Sequence, residues 1–189
     1  MVSKRNAYMI ATFAVLVVII VIAAVLWPGP DTRTPAERAI LRGGDLTGTW
    51  VEVNPPREEP STLPSPVPTG ISSYSFIELE NLTSEMAVKT LHVQVLLVVF
   101  NTTNEAVDQY WSGWHTSGLN LPVIGNLSQM YNHSASGHPA YSLVFQQGKA
   151  LCYVNGYFGV NQGSDFAWVY QETGNVGLLQ YQKISHELI

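Results

Sequence analysis

Residues 86–100 read MAVKTLHVQVLLVVF, and the reading of this run decides the fold. Its apolar part, about ten residues, is too short to cross a hydrocarbon core of roughly 30 Å as a helix. It is also dense in β-branched valine, which suits a pleated strand. As a strand it places Leu91, Val93, Val95, Leu97 and Val99 on one face. The other face begins polar, with Thr90, His92 and Gln94, and turns apolar at Leu96, Val98 and Phe100. A strand that is apolar on both sides at one end is covered on both sides there, so it belongs in the middle of a sheet.

Upstream, Tyr74–Phe76 and Ile77–Leu79 alternate well enough to give a second strand. Before it, residues 54–70, NPPREEPSTLPSPVPTG, are expected to hold no regular structure, because proline fixes φ and removes backbone donors. Two roles fit this strap: a stalk below a domain that starts near Ile71, or a loop inside a domain that starts near Thr34. The loop is preferred, since a capped helix and Trp50 precede it. Thr34-Pro35-Ala36-Glu37 has capping-box spacing with proline at the first helical position. Ala36, Ala39, Ile40 and Leu41 form the apolar side of that short helix, and Gly43-Gly44 ends it.

Downstream, Thr102-Thr103-Asn104-Glu105 opens another helix with the same spacing. Val107, Tyr110, Trp111 and Trp114 recur along it at helical period, in a stripe about 100° wide. That stripe has two readings. Burial against Leu91, Val93, Val95 and Leu97 is preferred, and truncating Trp111 or Trp114 would then cost roughly 3–5 kcal/mol. The alternative makes Tyr110, Trp111 and Trp114 a partner surface, since tryptophan and tyrosine dominate interface hot spots. Tyr141–Gln146 and Lys149–Phe158 flank a Gln147-Gly148 turn as a hairpin. Near the C-terminus Asn175 is expected to cap a last helix with Gly177, Tyr181, Ile184 and Leu188 on one face. The element order gives an α+β class: an antiparallel sheet with helices packed on one face.

Ahead of this domain, residues 7–27, AYMIATFAVLVVIIVIAAVLW, carry no charge and make roughly 30 Å of helix. Lys4 and Arg5 precede the run, which favours a cytoplasmic N-terminus. A cleaved signal peptide would have an apolar region of about 7–15 residues and a small-x-small site at its end; Val25, Leu26 and Trp27 stand there instead. The expected layout is a cytoplasmic N-terminus at 1–6, a transmembrane helix at 7–27 in the lipid bilayer, a linker at 28–33 and an extracytoplasmic domain at 34–189. The protein is then a single-pass protein of the cell membrane with its C-terminal domain outside.

Composition narrows the function. A formal net charge of −5 and sparse basic residues argue against a nucleic-acid partner. Charged residues are 12% of the chain, about half the usual share, so Ser, Thr, Asn and Gln carry the solubility. Cys152 is the single cysteine, which excludes an intrachain disulfide. Four tripeptides match the N-glycosylation acceptor pattern, at Asn81, Asn101, Asn126 and Asn132. Chance matches in a polar-rich chain are the competing reading. None has an acidic residue two positions earlier, which with the missing disulfides favours an archaeal cell surface.

Asp45-Leu46-x-Gly48-x-Trp50, Phe100-Asn-Thr-Thr-x-Glu105-Ala106, Leu121-Pro-Val-Ile-Gly125 and Tyr141-Ser-Leu-Val-Phe145-x-x-Gly148 occur in that order. Over residues 40 to about 184 the chain resembles uncharacterised membrane-anchored or lipoprotein-borne α+β domains of prokaryotic cell surfaces. The resemblance implies an extracytoplasmic domain and no catalytic residues.

The residues themselves point away from catalysis. No Gly-x-Ser-x-Gly elbow occurs, and Cys152 lies in an apolar strand where a buried inert thiol is the rule. His133 and His138 lack a metal-ligand spacing. Glu78 and Glu80 share a strand face and read as solvated, while Glu105 caps its helix. No metal, cofactor or catalytic residue is assigned. The expected function is binding of a surface protein, a glycan or a small ligand. The alternatives are a structural subunit of an envelope complex and, third, an enzyme without a recognisable motif.

Overall fold

A computed structural model describes residues 15–19, 21–22, 31–83, 89–114, 124–133, 139–158 and 166–189. The chain divides into two compact units, Met1–Thr32 and Arg33–Ile189. In the first, residues 15–19 and 21–22 are helical, and their Val, Leu and Ile side chains are all exposed. No helix among the described residues is long and apolar enough to cross a membrane. The rest of the expected span at 7–27 lies outside the described residues.

The second unit is α+β. Its strands are β1 (Trp50–Arg57), β2 (Ile71–Thr83), β3 (Lys89–Phe100), β4 (Leu127–Asn132), β5 (Ala140–Gln147) and β6 (Ala150–Phe158). They form one six-stranded sheet in the order β1-β2-β3-β6-β5-β4, every neighbouring pair antiparallel. The run read first from the sequence is thus central, between β2 and β6.

One face of the sheet is covered across its central strands. Leu91, Val93, Val95, Leu97 and Val99 of β3 join Ile77, Leu79, Leu143, Phe145, Cys152 and Val154 in the main core. Two helices lie over them: α1 (Pro35–Ala39) and a 22-residue helix near the C-terminus (Phe166–Glu187). The capping box at Thr34 is present, with Thr34 Oγ1 accepting from the Glu37 N–H at 3.3 Å and Glu37 Oε2 from the Thr34 N–H at 2.8 Å. Ala36, Ala39, Ile40 and Leu41 are all buried. Gln180 ties the two helices together inside the core. Its Oε1 accepts the Leu41 N–H at 2.9 Å and its Nε2 donates to the Ala39 carbonyl at 2.7 Å.

The C-terminal helix begins ten positions before the expected start, and Asn175 lies in its interior, donating to Glu172 at 3.4 Å rather than capping anything. Its buried positions are Val169, Thr173, Val176, Gly177, Gln180 and Ile184. Close approach explains the small ones. A Cβ on Gly177 would run into Leu143, and one on Gly156 of β6 would run into Thr173.

The opposite face carries α2 (Thr103–Gln109), continued by a π-turn at Tyr110–Trp114. Its capping box is also present, with Glu105 Oε2 accepting the Thr102 N–H at 2.9 Å. Ala106 and Tyr110 pack with Phe76, Leu96, Val98, Phe100, Val144 and Leu151. The helices therefore lie on both faces, not one. The aromatic helix does not cover Leu91–Leu97, because the apolar alternate face at Leu96, Val98 and Phe100 also needed a cover and lies nearest in sequence.

The proline-rich strap is partly regular. Asn54-Pro55-Pro56-Arg57 extends β1, and Pro60–Thr62 forms a 3-10 turn. β1 is an edge strand with register irregularities on both sides of Asn54. Only such a strand accepts proline, since one row of its backbone groups has no neighbour to pair.

Candidate functional site

Among the described residues, α2 covers the apolar half of its sheet face. The rest of that face is built from two rows of polar side chains running across the strands. Register places Glu80 of β2, His92 of β3 and Tyr157 of β6 in one row. The next row holds Asn54 of β1, Glu78 of β2, Gln94 of β3, Asn155 of β6 and Ser142 of β5. Period-two alternation puts them there: Cys152, Val154, Gly156 and Phe158 point to the main core, so Tyr153, Asn155 and Tyr157 point to the other side.

The second row is joined by hydrogen bonds that all run towards Glu78 from the β5 side. Ser142 Oγ donates to Asn155 Oδ1 at 3.0 Å, Asn155 Nδ2 to Gln94 Oε1 at 3.5 Å, and Gln94 Nε2 to Glu78 Oε1 at 3.4 Å. From the β1 side Asn54 Nδ2 donates to Glu78 Oε2 at 3.2 Å. With the Ser142 proton committed to Asn155, Tyr153 is the donor in the 2.7 Å contact between their hydroxyls.

Tyr157 links the two rows. Its hydroxyl donates to Glu78 Oε1 at 3.3 Å, and its ring stacks on His92 with centroids 5.3 Å apart and planes 10° from parallel. His92 Nδ1 lies 3.1 Å from Glu80 Oε1. Burial first, then the carboxylates of Glu78 and Glu80, hold the Tyr157 phenol above its ordinary range. It stays protonated at neutral pH and acts as a donor.

Glu78 accepts from three neighbours, Asn54, Gln94 and Tyr157, and is the hydrogen-bond hub of the row. Elsewhere, burial pushes the Cys152 thiol well above its ordinary range, so it is inert. Among the described residues no three His, Cys, Asp or Glu side chains come together as metal ligands.

The residues singled out from the sequence are dispersed. Asn101 follows β3 and is exposed, and Asn126 and Asn132 bracket the edge strand β4, both exposed. Asn81 sits in β2 opposite Trp50, half-buried, and accepts from Thr49 Oγ1 at 3.1 Å. Tyr110 is buried, 2% exposed, and Trp111 is 53% exposed. The expected large cost of truncating Trp111 therefore does not hold. The side chain of Trp114, like His138, lies outside what is described. Glu78, Glu80, His92 and Gln94 were legible as a polar face. Asn54, Asn155 and Tyr157 were missed, although the alternation of β6 carried the signal.

No protein-family model matches the chain, and no curated protein matches it. Among solved structures, the extracellular domain of PknH from Mycobacterium tuberculosis is similar over 74% of this chain and 79% of that one, with a TM-score of 0.44 and 12% sequence identity.

Proposed function

We propose that this protein is a single-pass membrane protein whose outward α+β domain binds an envelope protein through the polar half of its sheet. The observation that carries this reading is the hydrogen-bonded row from Asn54 to Asn155, whose members are all half-buried, with the fully buried Ser142 behind it. The accessible part crosses four strands, which at about 4.8 Å between neighbours spans roughly 14 Å. That breadth suits a macromolecular surface better than a small molecule. Its donors and acceptors are already fixed by one another, so little side-chain entropy is lost on binding. The anchor is supported by the charge-free run 7–27 and by helical residues within it that are apolar on every side, as a helix in lipid is.

The test is photo-crosslinking in native membranes, with the reactive residue at position 94 of the full chain and, as control, at exposed position 182. A discrete product from 94 alone, destroyed by protease, supports the reading. Identical products from both positions would sink it, and a protease-resistant product digested by glycosidases would make the partner a glycan. Protease added to intact cells is expected to remove the domain while the N-terminus stays protected; release of a soluble domain with a new N-terminus near Ala24 would replace the anchor by a signal peptide.

A further inference from the structure

A second concavity lies on the other side of the sheet, between the start of β1 and the C-terminal helix. It is an open groove of about 380 Å³ lined in part by Trp50, Leu179, Thr47, Asn81, Glu172 and Asn175. The volume is in the range of small-ligand sites, roughly 300–1,000 Å³. Trp50 is half-buried and packs on the main core, so its ring is a fixed wall. Asn81 lies directly across from it in the β1–β2 ladder, where facing side chains are neighbours.

The polar groups have capacity to spare. Asn81 Oδ1 accepts from Thr49, and Asn175 Nδ2 donates to Glu172 Oε1. No hydrogen bond within the described residues engages the Asn81 amide N–H pair, Asn175 Oδ1 or the second Glu172 oxygen. An aromatic wall beside a planar donor, a planar acceptor and a carboxylate matches one kind of ligand well. A pyranose ring has an apolar face of C–H bonds and a rim of hydroxyls that each donate and accept. The face lies on the indole, and the rim meets two amides and a carboxylate.

We propose that this groove is a saccharide subsite that holds one pyranose ring against Trp50. The sugar has two sources of the same chemistry. Asn81 opens an Asn81-Leu82-Thr83 acceptor tripeptide, so a sugar linked to its Nδ2 starts inside the groove. A free glycan end can enter the same space when Asn81 is bare. The inference does not rest on the polar sheet face: the two sites lie on opposite sides of the sheet, and either can fail alone.

Two arms separate the sources, both on the full chain in detergent. Protein made in a glycosylating eukaryotic host is compared with its Thr83→Ala variant, which removes the acceptor tripeptide and leaves Asn81. Occupancy of Asn81 by mass spectrometry, with a tryptophan emission shift lost in Thr83→Ala or after enzymatic deglycosylation, assigns the attached source. Protein made in a bacterial host without N-glycosylation is titrated with glucose, mannose and N-acetylglucosamine oligomers to millimolar concentration. A saturable tryptophan response that Asn175→Ala weakens at least about tenfold, and that Trp50→Phe abolishes, assigns the free source. Asn175 is exposed, so its variant keeps the fold if Trp50→Phe does not. No response in either arm overturns the proposal, as does a response that survives both substitutions.

Discussion

The two faces of β3 solve different problems with the same twelve residues. The face made by Leu91, Val93, Val95, Leu97 and Val99 is apolar from end to end and lies under α1 and the C-terminal helix. The face made by His92, Gln94, Leu96, Val98 and Phe100 changes character halfway. Its apolar half lies under α2, and its polar half joins a hydrogen-bonded row that crosses the sheet. The difference separates two tasks. The continuous apolar face supplies stability and leaves none of β3 available on that side. A face covered only in part costs some of that stability and presents ordered polar groups to the outside.

Truncations should therefore cost most on the first face. Phe145→Ala removes a fully buried ring from the main core and is expected to cost roughly 3–5 kcal/mol in urea unfolding. A cost below about 1 kcal/mol would mean that this face is not the stabilising one. Gln180→Leu keeps most of the volume but strips partners from the Leu41 N–H and the Ala39 carbonyl, both buried. With each of the two unsatisfied groups costing roughly 1–3 kcal/mol, the expected loss is about 2–6 kcal/mol. Amide exchange should report it at Leu41 first. Full stability with unchanged exchange would show that α1 docks without this clamp.

On the second face the effects are smaller and depend on pH. The Tyr157 phenol is held above its ordinary range in the folded chain. Its contribution to stability is thus fully present below the unfolded value, about 10, and is lost as pH rises through the raised folded value. Tyr157→Phe should flatten part of the alkaline fall in stability and leave neutral-pH stability within about 1 kcal/mol. Tyr74 and Tyr110 are shifted in the same direction, mainly by burial, so the flattening is partial. An alkaline limb identical to that of the parent would remove Tyr157 from the row. The smallest effect is expected for Trp111→Ala. Being exposed, Trp111 should change stability by no more than about 0.5 kcal/mol. A loss of several kcal/mol in the same urea experiment would restore the burial reading of the aromatic stripe.

What was legible in the sequence was local. The two capping boxes at Thr34 and Thr102, the Gly148 hairpin and the central position of β3 all follow from neighbours within a few residues, where period and propensity decide. The first half of the C-terminal helix and much of its buried face were illegible for a physical reason. Its buried positions include Thr173, Gly177 and Gln180, each chosen by what it meets: the Gly156 backbone, Leu143, and the buried, unpaired C-terminal end of α1's hydrogen-bond ladder. None of those partners is near in sequence, so the apolar period was broken where the packing is tightest. The same holds for β1, whose prolines look like a strap until the sheet makes them an edge. It holds also for the polar row, where five strands each contribute one ordinary residue. Sequence by itself fixed which segments are strands and helices where local pattern suffices, and it separated the charge-free run from the domain. Only the tertiary structure decided which face each helix covers, because both faces of β3 offered an apolar surface and the choice between them depended on chain connections that no local pattern records.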